Sequence, residues 1–361
     1  MLKLRVIQAE EGDCLLLMHE GDGSATRVLI DGGLTSIYRA HLRPVLAELA
    51  AEGGTLDLVV LSHVDSDHVR GLNAFFAELR DQQAEPTEPL IAVRNLWHNA
   101  FSETDDDGTI TPRLRALEQM AGVASASALD ALSTVGEGSS LRGLATDLRI
   151  PVNAARKGRP ILAGKPVDPV AVGGLTVTVV GPTKANLDAI RAEWSAWLDD
   201  LEAAPSSLAG VALDKTAPNL SSLQLLVEAD DKRLLLTGDG RGDHLLEALD
   251  ALGLLDGDGK IEVDVLKIPH HGSIRNVPED FFDRVIASTY VVSANGRYGN
   301  PDLATLEMLL SSARAAGRAF ELVVTNRCAP VDAFVRAHPP GRNGYTLKAL
   351  PAGEHFIDVV L

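Results

Sequence analysis

Short apolar runs, each closed by Gly, Asp or Asn, recur along this chain and alternate with segments of helical period. The first ten residues, Met1 to Glu10, read as a strand. Cys14–Met18 and Arg27–Ile30 flank Glu20-Gly21-Asp22-Gly23, which predicts two strands paired across a turn. Leu56–Leu61 is apolar on both faces and so predicts an interior strand rather than an edge. Ile91–Val93 predicts another strand. A second group follows at Leu175–Val180, Ser222–Val227 and Arg233–Leu236, then Val263–Ile268, Tyr290–Val292 and finally Phe356–Val360. Helical spacing marks Arg39–Glu52, Val69–Arg80 and Pro301–Ala315, and the pair Gly53-Gly54 is a stop signal for the first of these.

Strands in two groups with helices between them predict an α/β fold of two sheets with helices outside. The hairpins at 14–30 and 222–236 argue against one continuous doubly wound sheet. A single domain over residues 1–361 is expected, with two insertions. One, at about 105–168, is rich in Ala, Ser, Arg and Pro and weak in strand signals; it predicts helices forming a lid over the active-site face. The other, at about 184–215, carries an amphipathic helix around Ile190–Leu201.

Composition sharpens this picture. Hydrophobic residues make up 45% and aromatics only 4%, so the core must be aliphatic. The formal charge of −17 sets up a field that repels long phosphate backbones, yet bound cations would invert that field locally. Neither Cys14 nor Cys328 has a second cysteine at ligand spacing, which suits buried thiols in a reducing compartment. The chain start reads as a strand rather than a signal peptide, and no run approaches the roughly 18 apolar residues of a membrane helix. A cytoplasmic protein with no membrane partner is therefore expected; nothing in the pattern bears on oligomeric state.

The densest chemistry lies in Ser62-His63-Val64-Asp65-Ser66-Asp67-His68, directly behind a buried strand. Strand alternation starts His63, Asp65 and Asp67 on one side, and a turn then lets Asp67 and His68 diverge toward a neighbouring position. One loop can thus serve two adjacent cations, and mixed imidazole and carboxylate ligands suit Zn, Mn or Fe. The competing reading is a solvated loop in which Asp67 caps the following helix. Three further features are weaker alone. Asp239 follows Leu236-Thr237-Gly238, as in an ordinary turn. His270-His271 follows the strand ending at Ile268, where a ligand pair and a chance pair fit equally well. His98, in Asn95-Leu96-Trp97-His98-Asn99, is a lone histidine of the kind that usually serves structure.

Taken in order, Asp31-Gly32-Gly33, His63-x-Asp65-x-Asp67-His68, Gly238-Asp239 and His270-His271-Gly272-Ser273 resemble the metallo-β-lactamase superfamily. The run Lys267 to Ser273, Asn219-x-Ser221-Ser222 and Tyr298-Gly299-Asn300-Pro301 look most like the branch holding the hydrolase domain of competence (DNA-uptake) channel proteins. That branch commonly has His where this chain has Asn300. The resemblance implies an αββα sandwich with helical insertions and two divalent metal ions, Zn or Mn. It implies His63, Asp65 and His98 (or Asn99 in its place) at the first metal. Asp67, His68 and one of the last two histidines, preferably His271, would hold the second, with Asp239 bridging. Asp31 would sit behind the ligands, with Asn219, Ser222 and Asn300 near it or near substrate; by its own chemistry, Arg275 would add a phosphate contact, with Asn219 and Ser222, if the loops fold inward. His270 and Asp67 would take catalytic parts. The position of Lys267 in that run is not by itself a catalytic role.

The implied activity is hydrolysis by a metal-bridged hydroxide, on a phosphodiester in the first reading. The carboxylate Asp65, where the superfamily more commonly has His, favours harder cations such as Mn. The alternatives are a hydrolase of a small ester, lactone or thioester, and a non-catalytic regulatory protein that keeps the fold. The expected partner is a small-molecule or phosphodiester substrate, nucleic acid included.

Overall fold

The computed structural model describes residues 1–21, 23–83, 89–99, 112–113, 126–203 and 221–361. Two sheets face each other. The first runs β14-β1-β2-β3-β4-β5, from β1 Leu2–Ile7, β2 Leu15–Gly21, β3 Ser24–Ile30, β4 Leu58–Val60, β5 Leu96–Trp97 and β14 Phe356–Val360. The second runs β13-β12-β11-β10-β9-β8-β7-β6. Its strands are β6 Val170–Val172, β7 Leu175–Gly181, β8 Gln224–Ala229, β9 Lys232–Leu236, β10 Ile261–Lys267, β11 Val285–Val292, β12 Phe320–Val324 and β13 Tyr345–Ala349. The α/β class with two sheets and flanking helices is the one expected.

Burial on both faces explains the unbroken apolar runs. Leu15 and Leu17, Val28 and Ile30, and Leu58 and Val60 point into the core between the sheets. Their neighbours Leu16, Leu29 and Val59 point the other way, onto a helix layer. That layer holds α1 Arg43–Ala51 and α2 Ser66–Gln82, through Leu46, Leu72, Phe75 and Phe76. It also holds α3 Ala126–Asp147, through Leu141, Leu144 and Ala145. Past the second sheet lie α5 Gly242–Leu252 and α6 Leu303–Ala315, which close the core with Leu245, Leu249, Leu306 and Leu310. Helix α4, Lys184–Ala203, lies in the second insertion, and α7, Ala329–Ala337, precedes β13.

Both expected hairpins form: β2 with β3 and β8 with β9 are antiparallel. The second sheet is antiparallel from β6 to β9 and parallel from β9 to β13. Three details differ from expectation. The strand expected at Ile91–Val93 is centred on Leu96–Trp97; Val93 adds only a bridge to Leu56, in the register set by Val59↔Leu96. The first helix opens with a π turn, Tyr38–Leu42, before Pro44. Proline carries no N–H and crowds the preceding carbonyl, which favours such a widened turn. Helix α2 begins at Ser66 rather than Val69, so Asp67 and His68 are already helical and Asp67 is not the cap.

Candidate metal centre

Four strands, β3, β4, β9 and β10, release functional groups at their C-terminal ends, the usual location of sites on such sheets. β4 leads into Ser62 and His63, β9 into Asp239, β10 into His270 and His271, and β3 into Asp31. The start of α2 then turns Asp67 and His68 back over the same point. The close approach is possible because Gly71 faces Gly32: a Cβ on Gly71 would lie 1.8 Å from the Gly32 carbonyl oxygen. Gly12 is similarly constrained, since a Cβ there would lie 1.8 Å from the Asp67 carbonyl. Asp31, His270 and His271 all adopt positive φ, at 59°, 46° and 55°. Left-handed backbone at non-glycine residues costs roughly 1–3 kcal/mol each, and its clustering here is characteristic of a functional site.

The side chains converge on one carboxylate oxygen. Asp239 Oδ2 lies 3.1 Å from His271 Nε2, 3.5 Å from His68 Nε2, 3.6 Å from His270 Nε2 and 3.9 Å from His63 Nε2. Asp67 Oδ2 is 3.9 Å from His68 Nε2 and 3.8 Å from His271 Nε2. Asp65 Oδ2 is 3.6 Å from His63 Nε2. Two groups, His63/His68/Asp239 and Asp67/His68/His271, place their ligand atoms within 4.8 Å of one another. The Nε2 atoms of His63, His68 and His271 are buried and have no hydrogen-bond partner. Buried polar atoms are normally satisfied, so three converging orphans with carboxylates between them fit divalent cations.

A second set of contacts orients these ligands. Asp31, fully buried, accepts hydrogen bonds from Ser62 N (2.7 Å) and Ser62 Oγ (2.6 Å) and pairs with His68 Nδ1 (2.8 Å). His271 Nδ1 donates to the Ser293 carbonyl at 2.8 Å. Fixing Nδ1 as donor leaves Nε2 with its lone pair toward the cluster. Behind Asp239 lies Lys267, also fully buried, 2.6 Å from Asp13 Oδ2 and 3.0 Å from the Gly238 carbonyl.

Charge balance sets the protonation of the metal-free pocket. Burial opposes ionisation of Asp239, but His271, His270 and His68 outweigh it and hold the carboxyl well below its ordinary range. Burial likewise opposes the imidazolium of His68, yet Asp239, Asp31 and Asp67 hold it well above the usual histidine value. His271 is raised in the same way by Asp239 and Asp13. Burial pushes the Asp67 carboxyl up, with His68 and His271 opposing. Metal binding in such a pocket would displace protons from the histidines.

The sequence-marked residues divide as follows. His63, Asp67, His68, Asp239 and His271 come together, with Asp31 directly behind. Asp65 touches His63 but joins no group of three. His270 is on the more open side, 24% exposed against 4% for His271. His98 belongs to none of the compact ligand groups. It is buried, and its Nε2 would lie 3.4 Å from a Cβ on Gly138 of α3. Burial drives its pKa down to about 4. Its backbone is held by Asn153 on both sides. Asn99 is committed elsewhere, exchanging hydrogen bonds with the Ile161 backbone. Ser222 is buried beside Gly238, with its hydroxyl unpartnered. Asn300 is half-buried, and Arg275 is exposed. Asn219 lies outside the described residues. Cys14 and Cys328 are buried free thiols, as expected. Burial, then Asp31 and Asp13, push the Cys14 thiol well up.

The sequence reading missed Asp13, whose only local sign was Gly12-Asp13 after the first strand. It assigned no role to the Lys267 ammonium. Part of the 105–168 insertion is described: α3 packs along α2, with Arg70 Nε donating to Glu137 Oε1 at 2.6 Å and Asn73 Nδ2 to the Glu137 carbonyl at 3.0 Å.

A family model described as the metallo-beta-lactamase superfamily matches residues 14–146, the superfamily recognised from the sequence. ComE operon protein 3 of Bacillus subtilis (strain 168) is 33% identical over 100 residues, which are 27% of this chain and 12% of that protein. Among solved structures, Zn(2+)-bound PqqB from Methylobacterium extorquens is 14% identical, with 100% of both chains covered and a TM-score of 0.40. A diphosphatase from the PhnP family is 12% identical, covering 100% of this chain and 98% of its own, with a TM-score of 0.39. A long form RNase Z from yeast is 10% identical, covering 99% of this chain and 42% of its own, with a TM-score of 0.38. Among the described residues, no helix is long and apolar enough to cross a membrane.

Proposed function

We propose that this chain is a binuclear metal-dependent hydrolase acting on phosphodiesters. The observation that carries the reading is the convergence of three unpartnered buried Nε2 atoms on Asp239 Oδ2, with Asp67 alongside. Asp67, His68, His271 and Asp239 would hold one divalent ion. His63, Asp239 and Asp65 would hold the other, with His98 the weaker candidate because its ring faces α3. Two bound divalent ions supply Lewis acidity, a water whose pKa falls to about 7, and neutralisation of the reacting oxygens.

The chain's own groups do the rest. Asp31 and the Ser293 carbonyl hold the ligand imidazoles in the tautomer that presents Nε2. His270 stands on the open side of Asp239, and burial keeps its imidazole below the usual range, so it is neutral near pH 7. From there it can take a proton from water and return it to the leaving oxygen at Nε2. Asp67, whose carboxyl burial raises in the metal-free pocket, would be held ionised once it ligates a cation and would help to orient what binds there. The carboxylates at 65, 67 and 239 make a hard-oxygen ligand set, which favours phosphate chemistry with Mn as well as Zn. The net charge of −17 favours the second reading, a small ester, lactone or thioester.

A matched rate panel separates the two readings. Protein loaded with Zn or Mn is assayed on a bis-aryl phosphodiester, an aryl ester and a lactone. Faster turnover of the phosphodiester is expected. Lactone or ester hydrolysis with no phosphodiester cleavage under either metal would replace the first reading with the second, and no turnover of any substrate would favour a non-catalytic protein.

A further inference from the structure

Lys267 is fully buried, and its ammonium faces the rear of the pocket. Its Nζ lies 2.6 Å from Asp13 Oδ2, 3.0 Å from the Gly238 carbonyl and 3.6 Å from Asp239 Oδ1. The two oxygens of Asp239 therefore have different neighbours. Four histidine Nε2 atoms gather on Oδ2, whereas Oδ1 has no hydrogen-bond partner and faces the lysine. Asp13, Asp239 and His271 also place their ligand atoms within 4.8 Å of one another, a spacing that could hold a cation. The lysine ammonium already occupies the space beside two of those three residues.

We propose that Lys267 is a built-in third cation, a positioning group that keeps a metal ion out of the rear position and sets how tightly divalent ions are held at Asp239. The proposal rests on the metal reading above. Asp13, Asp31, Asp65, Asp67 and Asp239 bring five negative charges to this pocket. Two divalent ions would supply four positive charges and Lys267 supplies the fifth, so these charges balance before hydroxide or substrate is added. The lysine charge repels the ions while Asp13 attracts them, and the pair holds affinity between those two pulls.

An ion pair that only supports the fold predicts something different: loss of either partner would disorder the pocket and weaken metal binding. The charge account predicts opposite signs. Zn2+ affinity is measured by chelator competition on the full chain for wild type, Lys267→Met, Asp13→Asn and the double variant. We expect Asp13→Asn to bind roughly tenfold or more weakly and Lys267→Met roughly tenfold or more tightly, with the double variant back within about threefold of wild type. Should Lys267→Met fail to fold, the double variant must still bind more tightly than Asp13→Asn. Both single variants moving toward weaker binding, or a double variant no tighter than Asp13→Asn, would overturn the inference while leaving the metal reading intact. Failure of the wild type to bind Zn2+ would overturn both.

Discussion

Replacing Asp31 by Asn tests whether the pocket depends on a carboxylate that itself touches no metal. Asparagine tolerates left-handed backbone, so the φ of 59° at this position is kept and the side-chain shape barely changes. One oxygen of the amide can still accept from Ser62 N. The other position becomes an NH2 group, which meets His68 Nδ1 and Ser62 Oγ where the carboxylate stood at 2.8 Å and 2.6 Å. A donor facing Nδ1 selects the tautomer protonated on Nε2, and the lone pair then points away from the cluster. Losing such an orienting carboxylate typically costs 10–100-fold in metal affinity. Losing hydrogen bonds to a buried charge removes about 1.5–3 kcal/mol from the metal-free fold as well. Zn2+ competition and urea unfolding of the chelator-treated protein read these effects separately. Stability that falls while metal affinity stays within about threefold of wild type would refute the tautomer argument, because the predicted loss is at least about tenfold.

The other predictions follow from the same geometry. His271→Ala should release metal, whereas His270→Ala should keep most of it and lose rate, as measured by metal content and turnover; the reverse pattern would exchange their roles. Gly71→Ala puts a Cβ 1.8 Å from the Gly32 carbonyl and should destabilise the protein by roughly 1–3 kcal/mol or more in urea unfolding; an unchanged midpoint would contradict the close packing of α2 on the β3 end. The raised folded-state pKa values of His68 and His271 contribute stability that is complete below the unfolded histidine value of about 6.5 and lost as pH rises through the folded values. His98, lowered to about 4, contributes stability present above about 6.5 and lost as pH falls toward 4. Chelator-treated protein should therefore lose melting temperature on both sides of pH 6.5; a melting temperature that climbs steadily from pH 6.5 to 9 would contradict the first assignment.

Much of this architecture was legible because burial on both faces leaves a plain mark. Leu58-Val59-Val60 has no polar alternation to hide it, and the ligands directly follow it. Phe320–Val324 and Tyr345–Ala349 escaped notice because Glu321 and Lys348 interrupt their apolar character, although Gly317 and the run Pro339 to Gly344 mark turns ahead of them. The cluster His63-x-Asp65-x-Asp67-His68 was readable as a unit, since its spacing is local. Asp13 was not, because its partners Lys267 and His271 are more than 250 positions away and only the fold joins them. For His98, a strand ahead of it was foreseeable, although at Ile91–Val93 rather than Leu96–Trp97, but the direction of the ring depends on Asn153 and Gly138, which belong to an insertion.

The central claim is a pair of divalent ions sharing Asp239, and elemental analysis tests it most directly. Wild type and Asp239→Ala would each be loaded with excess Zn2+ or Mn2+, desalted and analysed for metal per chain, with folding checked by circular dichroism. The account predicts about two ions per chain in the wild type and loss of occupancy at both positions in the folded variant. A wild type that retains no metal, or a variant that retains as much as the wild type, would contradict it.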